Sequence, residues 1–328
     1  MTTSRFSFAI RSVLRRACSV TPGVAALAAS ALLCAAPSYA ADLPVLKVGD
    51  QALQTRGILE ASGQLKELPY KIEWFNFPAA QPLGEALNAG AVDVGGLGDA
   101  PLVFALAAGA RVRAVAATRS NPLDLAIVVG AQSPLNGAAS LKGKRIATTR
   151  GSIGHYLALA ALKKANVPLT DVTFVFLAPA DAKAALASGS VDAWSVWDPY
   201  TALGEARDHD RIIANGVGLS EGLSYQVATE RAITDKRAQL ADFLRRVATG
   251  QRWALSHPDE VAAMQSRVTG LPTDVLKTVY QRGQLHPVAI DDSVVAAQQR
   301  TADTYEAANV IRAHLDVRPS FDRSFPLP

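Results

Sequence analysis

A strand, a glycine-containing turn and a helix follow one another between residues 144 and 164, and this stretch constrains the fold most. Residues 144–148 are typical of a β-strand. Residues 155–164 are rich in strong helix formers and carry two lysines in the last turn, where the helix dipole favours positive charge. The turn between them contains Gly151 and Gly154. A strand that leads through such a turn into a helix is typical of an α/β fold.

The start of this predicted helix is a candidate site for an oxyanion. The first N–H groups of a helix have no partner within the helix, and the helix dipole places partial positive charge there. Ser152 can either cap the helix or offer its hydroxyl group to an anion, and Arg150 adds a positive charge nearby. The alternative is an ordinary strand–helix turn in which Ser152 is only a cap.

Strand and helix patterns alternate along the chain before residue 230, which predicts an α/β fold with a mainly parallel sheet. An internal repeat indicates two similar lobes, because residues 86–93 (ALNAGAVD) recur as residues 185–192 (ALASGSVD). In each copy a short helix ends on a glycine and a Val-Asp pair follows as part of a strand, although chance similarity is the alternative. Two such lobes would bring Asp99 to a shared cleft from one side and Trp197 with Asp198 from the other.

From Thr234 onward the pattern is helical, and we find no chemistry in it. Six apolar residues predict one buried helix face: Leu240, Phe243, Leu244, Val247, Ala254 and Leu255. Further helices are predicted from Pro258 and from Val275, and the acidic pair before Ser293 is expected to cap a long last helix.

The first 40 residues have the three parts of a secretory signal peptide. Arginines occupy the start, residues 24–36 form an apolar core, and residues 38–40 (SYA) predict cleavage after Ala40. The core is shorter than the roughly 20 residues that a membrane-spanning helix needs. The arginine pair at 15–16 leaves a twin-arginine route open beside the general export route. The sequence therefore predicts an exported protein, most simply a periplasmic one.

The basic composition of the chain belongs to this leader. The chain has 33 Lys and Arg against 29 Asp and Glu, and four of the arginines lie in the leader, which has no acidic residue. The remaining 29 basic and 29 acidic residues balance, so the charge is no evidence for nucleic-acid binding. Both cysteines, Cys18 and Cys34, also lie in the leader, so the mature chain is expected to have no disulfide and no thiol chemistry.

Several motifs together resemble the aliphatic-sulfonate-binding proteins of ABC importers, over nearly the whole predicted mature chain. They are FP at 77–78, GD-x-P at 98–101, KGKRI at 142–146, GS-x-x-HYL at 151–157, VFL-x-PADA at 175–182, GSVDAW at 189–194 and WDPY at 197–200. The resemblance implies a two-lobed periplasmic binding protein of type II, whose chain crosses between the lobes near residues 126–130 and 225–229. Lobe 1 would comprise residues 41–127 and 228–328, including the C-terminal helices, and lobe 2 residues 128–227.

The resemblance also implies ligand contacts from both lobes. They are Gln51, Gly98 and Asp99 in the first lobe, and Gly151, Ser152, His155, Tyr156, Trp197 and Asp198 in the second. The implied function is a monomeric receptor that captures an aliphatic sulfonate between its lobes and delivers it to an inner-membrane ABC permease with its ATPase. A sulfonate is permanently ionised, so it needs several hydrogen-bond donors rather than tuned acid–base groups.

Other ligands and other roles stay open at this stage. The motifs separate sulfonates less well from taurine, nitrate or a thiamin precursor. Asp99 and Asp198 can each be structural or pair with an amine such as that of taurine, and His155 can contact ligand or only pack. An enzyme is the less favoured alternative, because Ser152 and His155 lack the third group that orients a catalytic base. The histidine spacings match no metal site and residues 96–98 begin no dinucleotide fingerprint, so we expect no metal and no cofactor.

Overall fold

Two β-sheets organise the chain, and each forms the centre of one lobe. The computed structural model describes residues 43–51 and 54–325. The predicted signal peptide, residues 1–40, and its cleavage site lie outside the described residues. Within those residues, no helix combines the length and the apolar character that crossing a membrane requires.

The strands are β1 (Val45–Gln51), β2 (Lys71–Phe77), β3 (Val94–Gly98), β4 (Val112–Arg119), β5 (Leu125–Val129), β6 (Arg145–Thr148), β7 (Thr173–Phe176), β8 (Ala193–Trp197), β9 (Arg211–Asn215), β10 (Leu223–Thr229) and β11 (His286–Val288). The α-helices are α1 (Gln54–Ala61), α2 (Ala80–Asn88), α3 (Asp99–Ala107), α4 (Ile153–Lys164), α5 (Pro179–Ala187), α6 (Tyr200–Leu203), α7 (Glu230–Asp235), α8 (Arg237–Ser256), α9 (Pro258–Thr269), α10 (Thr273–Gly283) and α11 (Asp292–Ala307).

The two sheets share one plan. The first has the order β11-β4-β10-β3-β1-β2 and the second the order β7-β6-β8-β5-β9. In the first sheet β1 pairs in parallel with β2 and β3, and in the second β6 pairs in parallel with β7 and β8. One antiparallel strand enters each sheet directly after the chain has crossed from the other lobe: β10 in the first sheet and β5 in the second. The predicted α/β fold with two lobes and two crossings is confirmed.

The crossings lie between Arg119 and Leu125 and between Asn215 and Leu223. β5 pairs along its length with strands of the second sheet, and β10 pairs along its length with strands of the first. The predicted crossing segments 126–130 and 225–229, and the predicted lobe boundaries after residues 127 and 227, therefore fall inside these two strands. The change of sheet comes a few residues earlier, because both strands already pair with their new sheet from their first residue, Leu125 in β5 and Leu223 in β10.

The C-terminal helices bury the predicted face with one exception. Leu240, Phe243, Leu244, Val247 and Ala254 are buried in α8, whereas Leu255 is 43% exposed, so its predicted burial was wrong. Leu255 lies one residue before the end of α8, where it lines a small pocket with Tyr280 and Leu285 instead of packing into the core. α11 starts as predicted, because Asp291 accepts a hydrogen bond from the Val294 N–H. This last helix packs against α3 of the first lobe and α4 of the second.

Candidate functional site

The carboxyl ends of the parallel strands carry the predicted site residues. β1 ends at Gln51 and β3 at Gly98 in the first sheet, while β6 leads into the turn before Ser152 and β8 ends at Trp197 in the second. Parallel strands bring their carboxyl ends to one edge of a sheet, which is where ligands bind in open α/β folds. The predicted residues therefore lie on the two sheet edges from which a cleft would be built.

Ser152 is the N-cap residue of α4, as one of its two predicted roles requires. Its Oγ accepts a hydrogen bond from the His155 N–H at 3.2 Å. The hydroxyl hydrogen remains available as a donor. The N–H groups of Ile153 and Gly154 occupy the first two helical positions, so neither has an acceptor within the helix. This end of α4 therefore offers one hydroxyl and two backbone N–H groups to an anion.

Gly151 brings this turn against the first lobe. Its φ of +73° lies in the left-handed region, and a Cβ at this position would lie 3.0 Å from the ring of Phe104 in α3. The Tyr305 hydroxyl of α11 donates a hydrogen bond to the Ser152 carbonyl oxygen at 2.9 Å. Both contacts join the turn before α4 to helices outside the second lobe.

His155 supports the turn from beneath. Its Nδ1 accepts a hydrogen bond from the Gly151 N–H at 3.3 Å, and only 1% of the residue is exposed. The ring packs among Phe174, Phe176 and Tyr305. Burial, helped by the nearby Arg150 charge, lowers the pKa of His155 to about 4. The imidazole is therefore neutral at pH 7. Of the two roles that the sequence left open for His155, ligand contact or packing, its burial among aromatic rings agrees with packing.

Tyr156 faces away from this turn, toward α11. It lines a cavity of about 750 Å³ together with Lys163 of α4, residues 218–221 of the second crossing, and Arg300 and neighbouring residues of α11. Burial raises the pKa of Tyr156, and hydrogen bonds to Thr304 and Thr301 oppose that rise. The structure thus separates Tyr156 from Ser152, although both are near the start of one helix.

The first lobe contributes Gln51 and Gly98 at neighbouring strand ends. The Gln51 Nε2 donates to the Gly96 carbonyl oxygen at 2.7 Å, which fixes the amide beside β3. Gly98 is the N-cap residue of α3 and has extended backbone, with no side chain to cap the helix. The N-cap position of α3 therefore supplies no side-chain acceptor to the first N–H groups of this helix.

Asp99 turns its carboxylate away from the cleft edge. Its Oδ1 accepts from the Ala100 N–H at 2.7 Å, and its Oδ2 accepts from the Thr301 hydroxyl at 3.5 Å. Gln298 donates to the Asp99 carbonyl oxygen at 2.8 Å. Burial raises the pKa of Asp99 to about 7. Through Gln298 and Thr301, Asp99 links the start of α3 to α11.

Trp197 and Asp198 lie where β8 leads into α6. Trp197 is half-buried and packs edge-on against Tyr200, with ring centroids 6.0 Å apart. The Asp198 Oδ1 accepts from the Ala202 N–H at 2.9 Å, whereas its buried Oδ2 has no hydrogen-bond partner. Burial raises the pKa of Asp198 to about 6, and the charge of Arg282 opposes that rise.

Two charged residues beside Asp198 were not predicted. Asp124 of the first crossing accepts from the Ser120 hydroxyl at 2.9 Å, and burial raises its pKa to about 7, with the charge of Asp198 adding to the rise. Arg282 of α10 donates to Glu205 at 2.5 Å. No sequence signal connects these residues, because they come from three elements far apart in the chain. Phe104, which lies against Gly151, and Tyr305, which bonds to Ser152, were missed for the same reason.

One group of possible metal ligands occurs among the described residues, away from both sheet edges. Asp303 and Glu306 of α11 meet His314 from the segment that follows the helix, with ligand atoms within 4.8 Å of one another. The His314 Nδ1 lies 2.9 Å from the Glu306 Oε2, which is an exposed ion pair when the imidazole is protonated. Sequence spacing did not reveal this group.

Comparison with known proteins gives a consistent result. The NMT1/THI5-like family matches residues 78–261. The crystal structure of the periplasmic aliphatic sulphonate binding protein SsuA from Escherichia coli is 32% identical and superposes with a TM-score of 0.79, covering 87% of this chain and 94% of that one. The alkanesulfonate-binding protein SsuA from Xanthomonas axonopodis pv. citri, solved bound to MOPS, is also 32% identical with a TM-score of 0.79, covering 87% of this chain and 100% of that one.

A more distant neighbour shows how far the fold extends beyond binding proteins. The desulfurization enzyme DSZB is 20% identical, with a TM-score of 0.62 over 86% of this chain and 97% of that one. At this identity the likeness concerns the fold alone. The architecture by itself therefore does not separate a receptor from an enzyme, and the site residues must do so.

Proposed function

Because the chain belongs to the NMT1/THI5-like family and, within it, to the aliphatic sulfonate-binding proteins, we propose that it is a periplasmic receptor for an aliphatic sulfonate. It closes two lobes around the ligand and delivers it to an inner-membrane ABC permease with its ATPase. The relatives supply the ligand class, since the SsuA proteins bind aliphatic sulfonates. The α4 start supplies the local chemistry.

The observation that carries the proposal is the set of unused donors at Ser152. A tetrahedral anion placed against this end of α4 would receive the Ser152 hydroxyl and the N–H groups of Ile153 and Gly154. Each hydrogen bond to a charged partner contributes about 1.5–3 kcal/mol, and the helix end adds about 0.3–1 kcal/mol. Several such contacts support micromolar binding, about −8 kcal/mol, after the ordering costs are subtracted.

The same geometry argues against turnover of the ligand. A serine nucleophile needs a base that accepts its proton, but the His155 ring nitrogen Nδ1 instead accepts from the Gly151 N–H. The pKa of His155, lowered to about 4, also makes it a weak base. We propose that the ligand leaves unchanged, so incubation of saturating sulfonate with the protein for hours should consume none of it. Release of sulfite would contradict the receptor function.

The direct test is calorimetry with a panel of alkanesulfonates, taurine, sulfate, nitrate and a pyrimidine. We expect an alkanesulfonate to bind most tightly and Ser152→Ala to weaken it by about 1.5–3 kcal/mol. Thr229→Ala is the matched control, because the Thr229 hydroxyl caps α7 in the same way, by accepting from the Ala232 N–H at 3.1 Å. Thr229 ends β10 at the opposite edge of the first sheet, where it pairs with Val112 at the start of β4.

Both substitutions remove a helix cap and should lower stability by about 1 kcal/mol. Only Ser152→Ala should lower sulfonate affinity. Equal affinity in the two variants would mean that Ser152 is a cap alone. If the wild type binds another compound of the panel more tightly than any alkanesulfonate, the proposed ligand class is wrong and that compound takes its place.

Ligand contacts from both lobes would favour the closed form. We therefore expect saturating alkanesulfonate to make the protein more compact in solution X-ray scattering and to raise its melting temperature. An unchanged scattering profile with tightly bound ligand would exclude hinge closure while leaving binding intact.

A further inference from the structure

Arg150 is a cation that the structure holds at the carboxyl edge of the second sheet. Its guanidinium carbon lies 3.9 Å from the centroid of the Phe176 ring, at the end of the neighbouring strand β7. A guanidinium stacked on an aromatic face is held in its plane, whereas the N–H groups along its rim remain free to donate. The residue is exposed, so these donors are accessible.

The aromatic surface beneath Arg150 is itself well supported. The rings of Phe176 and Phe174 are nearly parallel, at an interplanar angle of 13° with centroids 6.0 Å apart. The buried His155 ring packs edge-on against both of them. Phe176 is therefore a fixed platform, and the position of the stacked guanidinium follows from it.

Arg150 has no acidic partner among the described residues, in contrast to two arginines that lie at the ends of strands. Arg119 at the end of β4 pairs with Glu221 at 2.7 Å, and Arg145 at the start of β6 pairs with Asp192 at 3.1 Å. A carboxylate neutralises most of the field of such an arginine. Arg150 keeps its full charge beside the turn that leads to Ser152.

The charge of Arg150 reaches the start of α4. After burial, it is the second cause that lowers the pKa of His155, the residue that accepts the Gly151 N–H. A positive charge that disfavours an imidazolium at this place favours an anion there by the same electrostatic argument. The uncompensated guanidinium and the donors at Ser152 thus act on one end of one helix.

We propose that Arg150, positioned by Phe176, determines specificity for a fully charged anionic head group over an uncharged group of the same shape. This inference rests on the proposed function, because it assumes that the ligand head binds at the start of α4. Backbone N–H groups and a hydroxyl also hydrogen-bond to neutral oxygens, so they discriminate charge weakly. A fixed guanidinium adds an attraction that only the ionised head receives.

The test compares 1-hexanesulfonate with hexane-1-sulfonamide, which has the same chain and an uncharged head at pH 7. Calorimetry on the wild type should show tighter binding of the sulfonate. Arg150→Met keeps the length of the side chain but removes its charge, and it should weaken the sulfonate by about tenfold while leaving the sulfonamide unchanged. Phe176→Leu retains the charge but removes the stack, and it should cause a smaller loss for the sulfonate alone.

Arg145→Met is the matched control, because this exposed arginine occupies the opposite end of β6. It should leave the affinities for both compounds unchanged. Melting temperatures of all variants show whether they are folded, and Arg150→Lys, which keeps a charge without the planar fork, should fall between wild type and Arg150→Met.

An unchanged ratio of sulfonate to sulfonamide affinity in Arg150→Met would overturn the inference, and so would an equal loss for both compounds. If the wild type instead prefers another anion of the calorimetry panel, the proposed ligand class fails. The same comparison, made with that anion and an uncharged analogue, then decides the role of Arg150 independently.

Discussion

The two copies of the repeated unit make the same backbone contacts in the two lobes. The Lys47 N–H donates to the Asp93 Oδ2 at 2.8 Å, and the Arg145 N–H donates to the Asp192 Oδ2 at 2.8 Å. In return the Asp93 N–H donates to the Lys47 carbonyl oxygen at 2.8 Å, and the Asp192 N–H donates to the Arg145 carbonyl oxygen at 2.9 Å. The repeat that the sequence shows is therefore a structural device that joins β1 to β3 and β6 to β8.

The copies differ in what surrounds the aspartate. Asp93 is 1% exposed and pairs with Lys236, which precedes α8, at 2.6 Å. Asp192 is partly exposed and pairs with the side chain of Arg145, which belongs to its own lobe. The second copy is thus complete within its lobe, whereas the first depends on a segment that arrives only after the chain has returned. A repeated local motif can serve one lobe independently and tie the other to distant sequence.

The largest effect on stability is expected just beyond the strands that follow the two copies. β3 leads to Asp99, and β8 leads to Asp198. Burial raises the pKa of Asp99 to about 7 and that of Asp198 to about 6, from 3.8 in the unfolded chain. The folded state therefore binds these protons more tightly. Protonation of each carboxyl group therefore contributes to the stability of the fold. This contribution is complete below pH 4 and is lost as the pH rises through the folded pKa, at about 1.4 kcal/mol per pH unit for each group.

Asp99→Asn should remove this loss. We expect the free energy of unfolding of the variant, relative to wild type, to increase between pH 4 and pH 7 and then to level off. For Asp198→Asn the increase should end near pH 6. Chemical denaturation across this pH range measures both curves, and a constant difference between wild type and variant would show that the carboxyl in question is not titrating.

A smaller difference in stability is expected between variants of Asp93 and Asp192, the last residues of the two copies. Asp93→Ala leaves the Lys47 N–H without its acceptor and Lys236 without its buried partner, so we expect a loss of about 3 kcal/mol in the free energy of unfolding. Asp192→Ala should cost clearly less, because solvent reaches Arg145. Urea denaturation compares them, and equal losses would mean that the burial of Asp93 and its link to Lys236 do not matter.

The smallest effect should be equal in the two copies. Gly90 and Gly189 end α2 and α5 with φ of +68° and +71°, and no atom lies within 4 Å of a Cβ built at either position. Alanine should therefore cost only the left-handed backbone, about 1 kcal/mol at each site. Gly84→Ala inside α2 is the control, since its Cβ would make an ordinary contact with Ala105 at 3.8 Å and should not destabilise. Unequal losses at the two helix ends would show that the copies are not equivalent there.

The sequence by itself determined the features that depend on neighbours along the chain. The strand, turn and helix around Ser152, the cap at Asp291 and the two glycine-ended helices follow from residues a few positions apart. The edge that carries Gln51, Gly98, Ser152 and Trp197 was also predictable, because parallel strands place their carboxyl ends together. The motifs that resemble sulfonate-binding proteins were sufficient to indicate the family that comparison then confirmed.

Only the tertiary structure decided which way the side chains at that edge turn. Asp99 bonds to Thr301 rather than facing the cleft, and His155 is held among aromatic rings. Asp124 and Arg282 meet Asp198 from separate elements, and the crossings precede the positions that the sequence indicated. Burial and charge at one point depend on groups that are far apart in the chain, such as Asp99 and Thr301 at 202 positions, and a single sequence does not show which distant residues will meet.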